Sequence, residues 1–246
     1  MDRDGDRDAA RPARRDLPRP DRSSRAADRD GGADGRDVRE LILDAAVQLL
    51  AARRFESLNV ADILDAAGVS RGSFYFYFAN KYAVLAELVR RAVSSAHDAA
   101  DAWADGASGA PGAALRRGTM QGSRLWREHA PVLRAIVENW QSDPVLAQLW
   151  VEMIDGFTTV ATQRILADRA AGLAPDRDDD PRMLASILCW MNERAWYLAA
   201  SGHPAFTDEA RLTDALTEIW QGAIYSTPPA WPAPDGPVPA GPEDHE

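Results

Sequence analysis

Residues 55–81 read FESLNVADILDAAGVSRGSFYFYFANK, from Phe55 to Lys81, and this stretch decides the fold. Asn59 precedes the apolar pair Val60 and Ile63 and can accept a hydrogen bond from a free backbone N–H, with Asp62 near the positive end of the helix that follows. The spacing predicts a helix over 60–67. Gly68 then supplies the left-handed backbone that a tight interhelical turn requires, Val69 drops inward, and Ser70 caps a second helix over 71–77. Two short helices joined by such a turn make a helix-turn-helix.

On the second helix Phe74 and Phe78 lie four residues apart and are expected to pack under the first helix and against Leu43 or Val47. The opposite face is then Arg71, Ser73, Tyr75 and Tyr77. Arg71 can donate a forked pair of hydrogen bonds to guanine, and Gly72 lets the backbone come close to DNA. Tyr75, Tyr77 and Lys81 suit phosphates. With the two capping residues, the candidate DNA-contact set is Asn59, Ser70, Arg71, Gly72, Ser73, Tyr75, Tyr77 and Lys81. Were the aromatic run core alone, the hydroxyls would be incidental; two Tyr beside two Phe exceed the inward face of so short a helix.

Outward from this motif, apolar residues recur at spacings of three and four, as in Val38, Leu41, Ile42, Ala45, Ala46, Leu49 and Leu50, and no run alternates with period two. The expected fold is all-α, with about nine helices over 37–53, 60–67, 71–77, 81–104, 113–128, 131–140, 144–171, 182–201 and 208–225. The breaks between them are placed by Gly, Pro, Asn and Asp. Four regions follow: an arm over 1–36, a helix-turn-helix domain over 37–91, a ligand-binding and dimerisation domain over 92–226, and a tail over 227–246. The arm holds ten Arg and nine Asp with almost nothing apolar, and the tail holds seven prolines. Both are expected to be disordered.

The net charge of −10 argues against nucleic acid until its distribution is followed. Residues 37–91 carry seven basic and seven acidic side chains, whereas residues 92–226 carry eleven and eighteen. A neutral first segment can still present Arg71, Lys81, Arg90 and Arg91 on one side. No run of about 18 uncharged apolar residues offers a membrane span, so no membrane association and a cytoplasmic location are expected. Cys189 is the only cysteine, which excludes an intrachain disulfide and makes a small core residue the expected role. No metal or cofactor is expected. Neither is an enzyme: His97, His129, His203 and His245 are scattered, and no HExxH occurs.

The stretch GVSRGSFYFYFANKYAVL, residues 68–85, closely resembles the recognition region of TetR-family regulators, where a short helix ends in an aromatic cluster followed by a Lys at the start of the next. ILCWMNERAWYLAASG (187–202) and LTEIWQGAIYS (216–226) are similar to the last two helices of the ethionamide-sensitivity repressor subgroup. The resemblance implies a long, mostly apolar channel in the C-terminal domain, with Asn192 as its polar anchor. An amide buried there without a partner would cost about 1–3 kcal/mol, so either a protein group or a ligand should meet it. By the same matching Cys189 replaces a second pocket Asn, and Trp126, Trp150, Ile154, Phe157 and Trp220 fall on pocket walls. Seven of the eight Trp lie in residues 92–226, an excess that can line a pocket.

For a homodimer interface, Leu184, Ile187, Leu188, Met191, Ala195 and Leu198 on one helix and Leu212, Ala215, Leu216, Ile219 and Ala223 on the last offer broad apolar faces. The function implied is a repressor released from a palindromic double-stranded DNA operator by a small apolar effector. A ligand-binding helical dimer that activates transcription, or has no DNA recognition, is the alternative.

Overall fold

Local capping chemistry sets most of the helix starts in the computed structural model, which describes residues 34–104 and 111–226. Among these residues are nine α-helices and three short 3-10 turns, and no strand. They are α1 (Asp34–Ala52), α2 (Val60–Ala67), α3 (Arg71–Tyr77), α4 (Lys81–Ala104), α5 (Pro111–Glu128), α6 (Ala130–Asn139), α7 (Pro144–Ala170), α8 (Pro181–Ala200) and α9 (Glu209–Tyr225). The all-α expectation holds, with ends within three residues of those read from the sequence. The expected arm and tail lie outside the described residues, apart from the first turn of α1. The described residues from Val38 onward form one compact unit.

Asn59 and Asp62 form a reciprocal capping box, each side chain accepting from the other's backbone N–H at 3.0 and 2.8 Å. The side chains of Asp143, Asp180 and Asp208 accept backbone N–H groups at the starts of α7, α8 and α9, the first two just ahead of a proline. Proline fits there because its missing N–H has no helical partner to lose. Gly68 closes α2 with φ 66° and ψ 30°, which lets the Val69 N–H reach back to the Leu64 carbonyl at 3.2 Å.

Phe74 is fully buried and Phe78 nearly so, in a core shared with Ile42, Leu43, Ile63, Val84 and Leu85. The inward turn of both phenylalanines is as expected; Val47, the alternative partner, is 38% exposed and stands outside that core. The helix α4 links this core to the rest of the chain. Val84 and Leu85 pack near Phe74, while farther along α4 lies against α5, α6 and α7. The long α7 runs beside α8, and α5 beside α9. At the end of α7, buried Asp168 accepts from Arg164 and, at 2.6 Å, from the Tyr225 hydroxyl, fastening α9 to α7.

Candidate functional site

The first part of the site is the outward side of α3. Arg71 is exposed, its guanidinium 5.6 Å from the centre of the Tyr75 ring, and no ion pair holds it among the described residues. Ser70 accepts from the Ser73 N–H at 3.0 Å, and the two hydroxyls lie 2.8 Å apart, so Ser70 and Ser73 are committed to the cap. Tyr75 is 46% exposed, whereas Tyr77 is half-buried against the core. Gly72 is exposed, and a methyl group there would meet only the Ser70 hydroxyl at an ordinary 3.8 Å. Nothing inside the protein therefore demands glycine at 72.

Phe76 was not among the expected contacts and is the most exposed large apolar side chain among the described residues, at 80%. A two-faced reading of the FYFYF run leaves it unassigned, because a helix turns 100° per residue and sends the middle Phe away from the other two. That arithmetic was available in the sequence.

Lys81 does not face outward. Its ammonium donates to the backbone carbonyls of Leu58 at 2.7 Å, Phe55 at 3.0 Å and Glu56 at 3.4 Å, which uses all three N–H bonds. Burial lowers its pKa against the pull of Glu56 and Asp62. Lys81, expected at phosphate, is here engaged within the protein: the 3-10 turn Phe55–Ser57 leaves carbonyls without helical partners, and the lysine satisfies them. Arg91 is also engaged, paired with Glu40 at 2.5 Å and with Glu87 at 3.1 Å, and Arg90 lies 3.7 Å from Glu87. Of the four cations expected on one side, only Arg71 is uncommitted. Lys81→Met should accordingly cost about 1–3 kcal/mol of stability, since charge-assisted bonds to carbonyls are lost and not replaced. Thermal unfolding checks this; an unchanged midpoint alongside weakened DNA binding would restore the phosphate role.

The second part is a cavity of about 160 Å³ lined by helices α4, α5, α6, α7, α8 and α9. Asn192, Trp126, Trp150, Ile154, Phe157, Cys189 and Trp220, the whole expected pocket set, line this one space. Asn192 has a protein partner, its side-chain oxygen accepting from the Trp220 indole N–H at 3.1 Å. Burial pushes the Cys189 thiol up to about 11, against a hydrogen bond from Thr158, so it stays protonated near neutrality.

Gly122, Glu193 and Trp196 are among the lining residues that were not in the expected set. An added Cβ at Gly122 would overlap the outer edge of the Trp196 ring, so glycine allows this indole to lie against α5. Its signal was Gly118 and Gly122 four apart inside a helix, where each glycine costs about 1 kcal/mol without a packing reason. Glu193 is 2% exposed, and neither carboxylate oxygen has a hydrogen bond; the indole N–H groups of Trp150 and Trp196 are likewise buried and unpartnered. Burial raises the Glu193 pKa, slightly offset by Arg194.

The folded state holds the Glu193 proton more tightly than the unfolded chain, so stability falls as pH rises from the ordinary glutamate value through the raised one. Glu193→Gln should flatten that decline and exceed the parent in stability above the window. Urea titrations at several pH values check it, and parallel pH profiles for the two proteins would count against a buried acid without a hydrogen bond.

Residues 42–88 match the profile of bacterial regulatory proteins of the tetR family, and residues 115–226 match that of the C-terminal domain of the transcriptional regulator EthR. The chain is 32% identical over 196 residues to the HTH-type transcriptional regulator EthR of Mycolicibacterium smegmatis, covering 79% of this chain and 89% of that protein. The chain belongs to the TetR family of transcriptional regulators. The Mycobacterium tuberculosis EthR is 34% identical over 191 residues, covering 77% of this TetR-family chain and 88% of the relative. Among solved structures, SmeT, the repressor of the Stenotrophomonas maltophilia multidrug efflux pump SmeDEF, superposes with a TM-score of 0.63 at 20% identity, over 77% of this chain and 93% of that one. TetR-family regulators of the EthR type are in general DNA-binding repressors with a ligand-binding C-terminal domain, and they act as dimers. This TetR-family protein is a transcriptional regulator and not an enzyme. No helix among its described residues is long and apolar enough to cross a membrane.

Proposed function

We propose that this regulator is a repressor that holds a palindromic operator as a homodimer through α3 and lets go when a small, largely apolar molecule enters the cavity. On this reading residues 37–91 bind DNA and residues 92–226 bind the effector and the second protomer, in the cytoplasm. The observation that carries it is the reach of α4: Val84 and Leu85 sit in the core behind α3, and Val93 on the same helix lines the cavity. An occupant that moves α4 thereby moves the recognition helix. In the operator complex Arg71 reads a base edge, Phe76 lies on a thymine methyl, and Tyr75 reaches phosphate. Release requires a preference for the non-binding shape; a hundredfold change in occupancy needs about 2.7 kcal/mol.

Exposed apolar side chains support the second protomer's place. Met183 and Ile187 on α8 and Ile219 on α9 are 60%, 59% and 48% exposed. Leu188, Ala195, Leu212 and Leu216, expected on the same interface, are instead buried in the chain's own cores, because they face the neighbouring helices of one protomer. The interface proposed is therefore narrower, resting on Met183, Ile187 and Ile219 with Ala215 beside them.

An unbiased selection of operator sequences with the purified protein, followed by effector challenge, tests the whole reading. Two variants sharpen it. Arg71→Ala should lower operator affinity with the fold intact. Gly72→Ala should weaken DNA binding while stabilising the free protein by about 0.5–1 kcal/mol, because alanine is the better helix former and meets no clash. Full operator affinity in both variants would remove α3 from the DNA.

A further inference from the structure

Glu193 stands out in the cavity as a group the fold leaves unserved. It is 2% exposed, both carboxylate oxygens are buried without a hydrogen bond, and it lines the same space as Trp126, Trp150, Trp196 and Trp220. Its nearest cation, Arg194, holds its Nε 3.8 Å from one oxygen, beyond hydrogen-bond distance, and that guanidinium lies largely outside, over the Tyr197 ring. A buried carboxyl with no hydrogen bond costs stability, and a chain under no other demand would place an amide or a methylene there. The group costs least when something absent from the free protein supplies a donor.

The walls narrow what that donor is. Indole faces carry negative potential and attract a cation placed over them, most strongly away from water. A carboxyl and several indoles around one space favour the same charge. The unpartnered indole N–H of Trp150 and of Trp196 can each also take an acceptor. A neutral apolar molecule would fill the cavity and leave Glu193 as costly as before, and an anion would be repelled.

Resting on the effector reading above, we propose that the cavity selects an amphiphilic amine: an aryl or alkyl body among the tryptophans and a protonated nitrogen donating to the Glu193 carboxylate. No covalent step is involved. Asn192 remains with Trp220, so the anchor for the ligand's polar end is its neighbour.

Three probes of one shape test this: 4-phenylbutylamine, 4-phenylbutan-1-ol and 4-phenylbutanoate, titrated calorimetrically into the full chain without DNA at neutral pH. The amine is expected to bind at least about tenfold more tightly than the alcohol, with the carboxylate weakest, and Glu193→Gln should bring amine and alcohol together. Equal affinities for amine and alcohol in the parent protein, or an amine preference that survives Glu193→Gln, would overturn the inference. The parent comparison needs no variant, so it decides the matter even if Glu193→Gln fails to fold. Neutral probes that release operator DNA without any amine preference would sink this inference alone. Amine binding that never releases operator DNA would sink the effector reading and leave the cation preference standing.

Discussion

Replacing Ile187 and Ile219 together by Glu is expected to yield a folded monomer that no longer retards operator DNA. Both side chains stand roughly half out of the protomer, at 59% and 48% exposure, and Ile187 lies between exposed Met183 and half-buried Met191 along α8. Exposed substitutions of this kind change the stability of an isolated fold by about 0.5 kcal/mol or less. Their effect falls on association, where each new carboxylate would be buried against an apolar face without a partner. One protomer carries one recognition helix, so loss of the dimer turns a two-site engagement into a single one. Tethered pairs gain about 10²–10⁴ in affinity over either site alone, and that factor is what the variant should forfeit. Light scattering reports the mass, and gel retardation reports the binding. A double variant that stays dimeric and binds DNA as before would place the interface on another face.

Phe74→Ala is expected to cost about 3–5 kcal/mol of stability, the usual range for emptying a buried aromatic site. Phe74 is fully buried in a core that includes residues of α1, α2 and α4, and its ring lies 6.0 Å from that of Phe78. A domain of ordinary stability has about 5–15 kcal/mol in total, so much of the helix-turn-helix would be open at working temperature. Phe76→Ala, two residues away, offers the contrast. Its ring is 80% exposed, so stability should hold within about 0.5 kcal/mol while operator affinity falls. Urea denaturation and operator titration of the two variants separate the roles. Similar stability losses in both would mean that α3 does not divide into an inner and an outer face as described.

What the sequence determined by itself is local. The capping pair Asn59 and Asp62, the turn at Gly68, the cap at Ser70 and the Asp–Pro starts of α7 and α8 are all written within four residues of the groups they serve. Hence the nine helices were legible almost to their ends, as was the inward turn of Phe74 and Phe78, because a 3.6-residue period assigns faces without a partner in view. The pocket set was legible by resemblance, and the structure gathers all seven residues around one cavity.

Tertiary structure alone decided which side chains were already committed. Lys81 looked free until the carbonyls of Phe55, Glu56 and Leu58, at least 23 residues earlier, came to lie under its ammonium. Leu188, Leu212 and Leu216 shared a periodic face with Ile187 and Ile219, yet the packing of α5, α7 and α8 took the first three inside and left the other two out. The close seat of Trp196 on Gly122 depends on two helices, α5 and α8, that are distant in the sequence. Periodicity tells which residues share a face, but only the three-dimensional arrangement says what meets that face, and a charge or hydrogen bond belongs to the meeting.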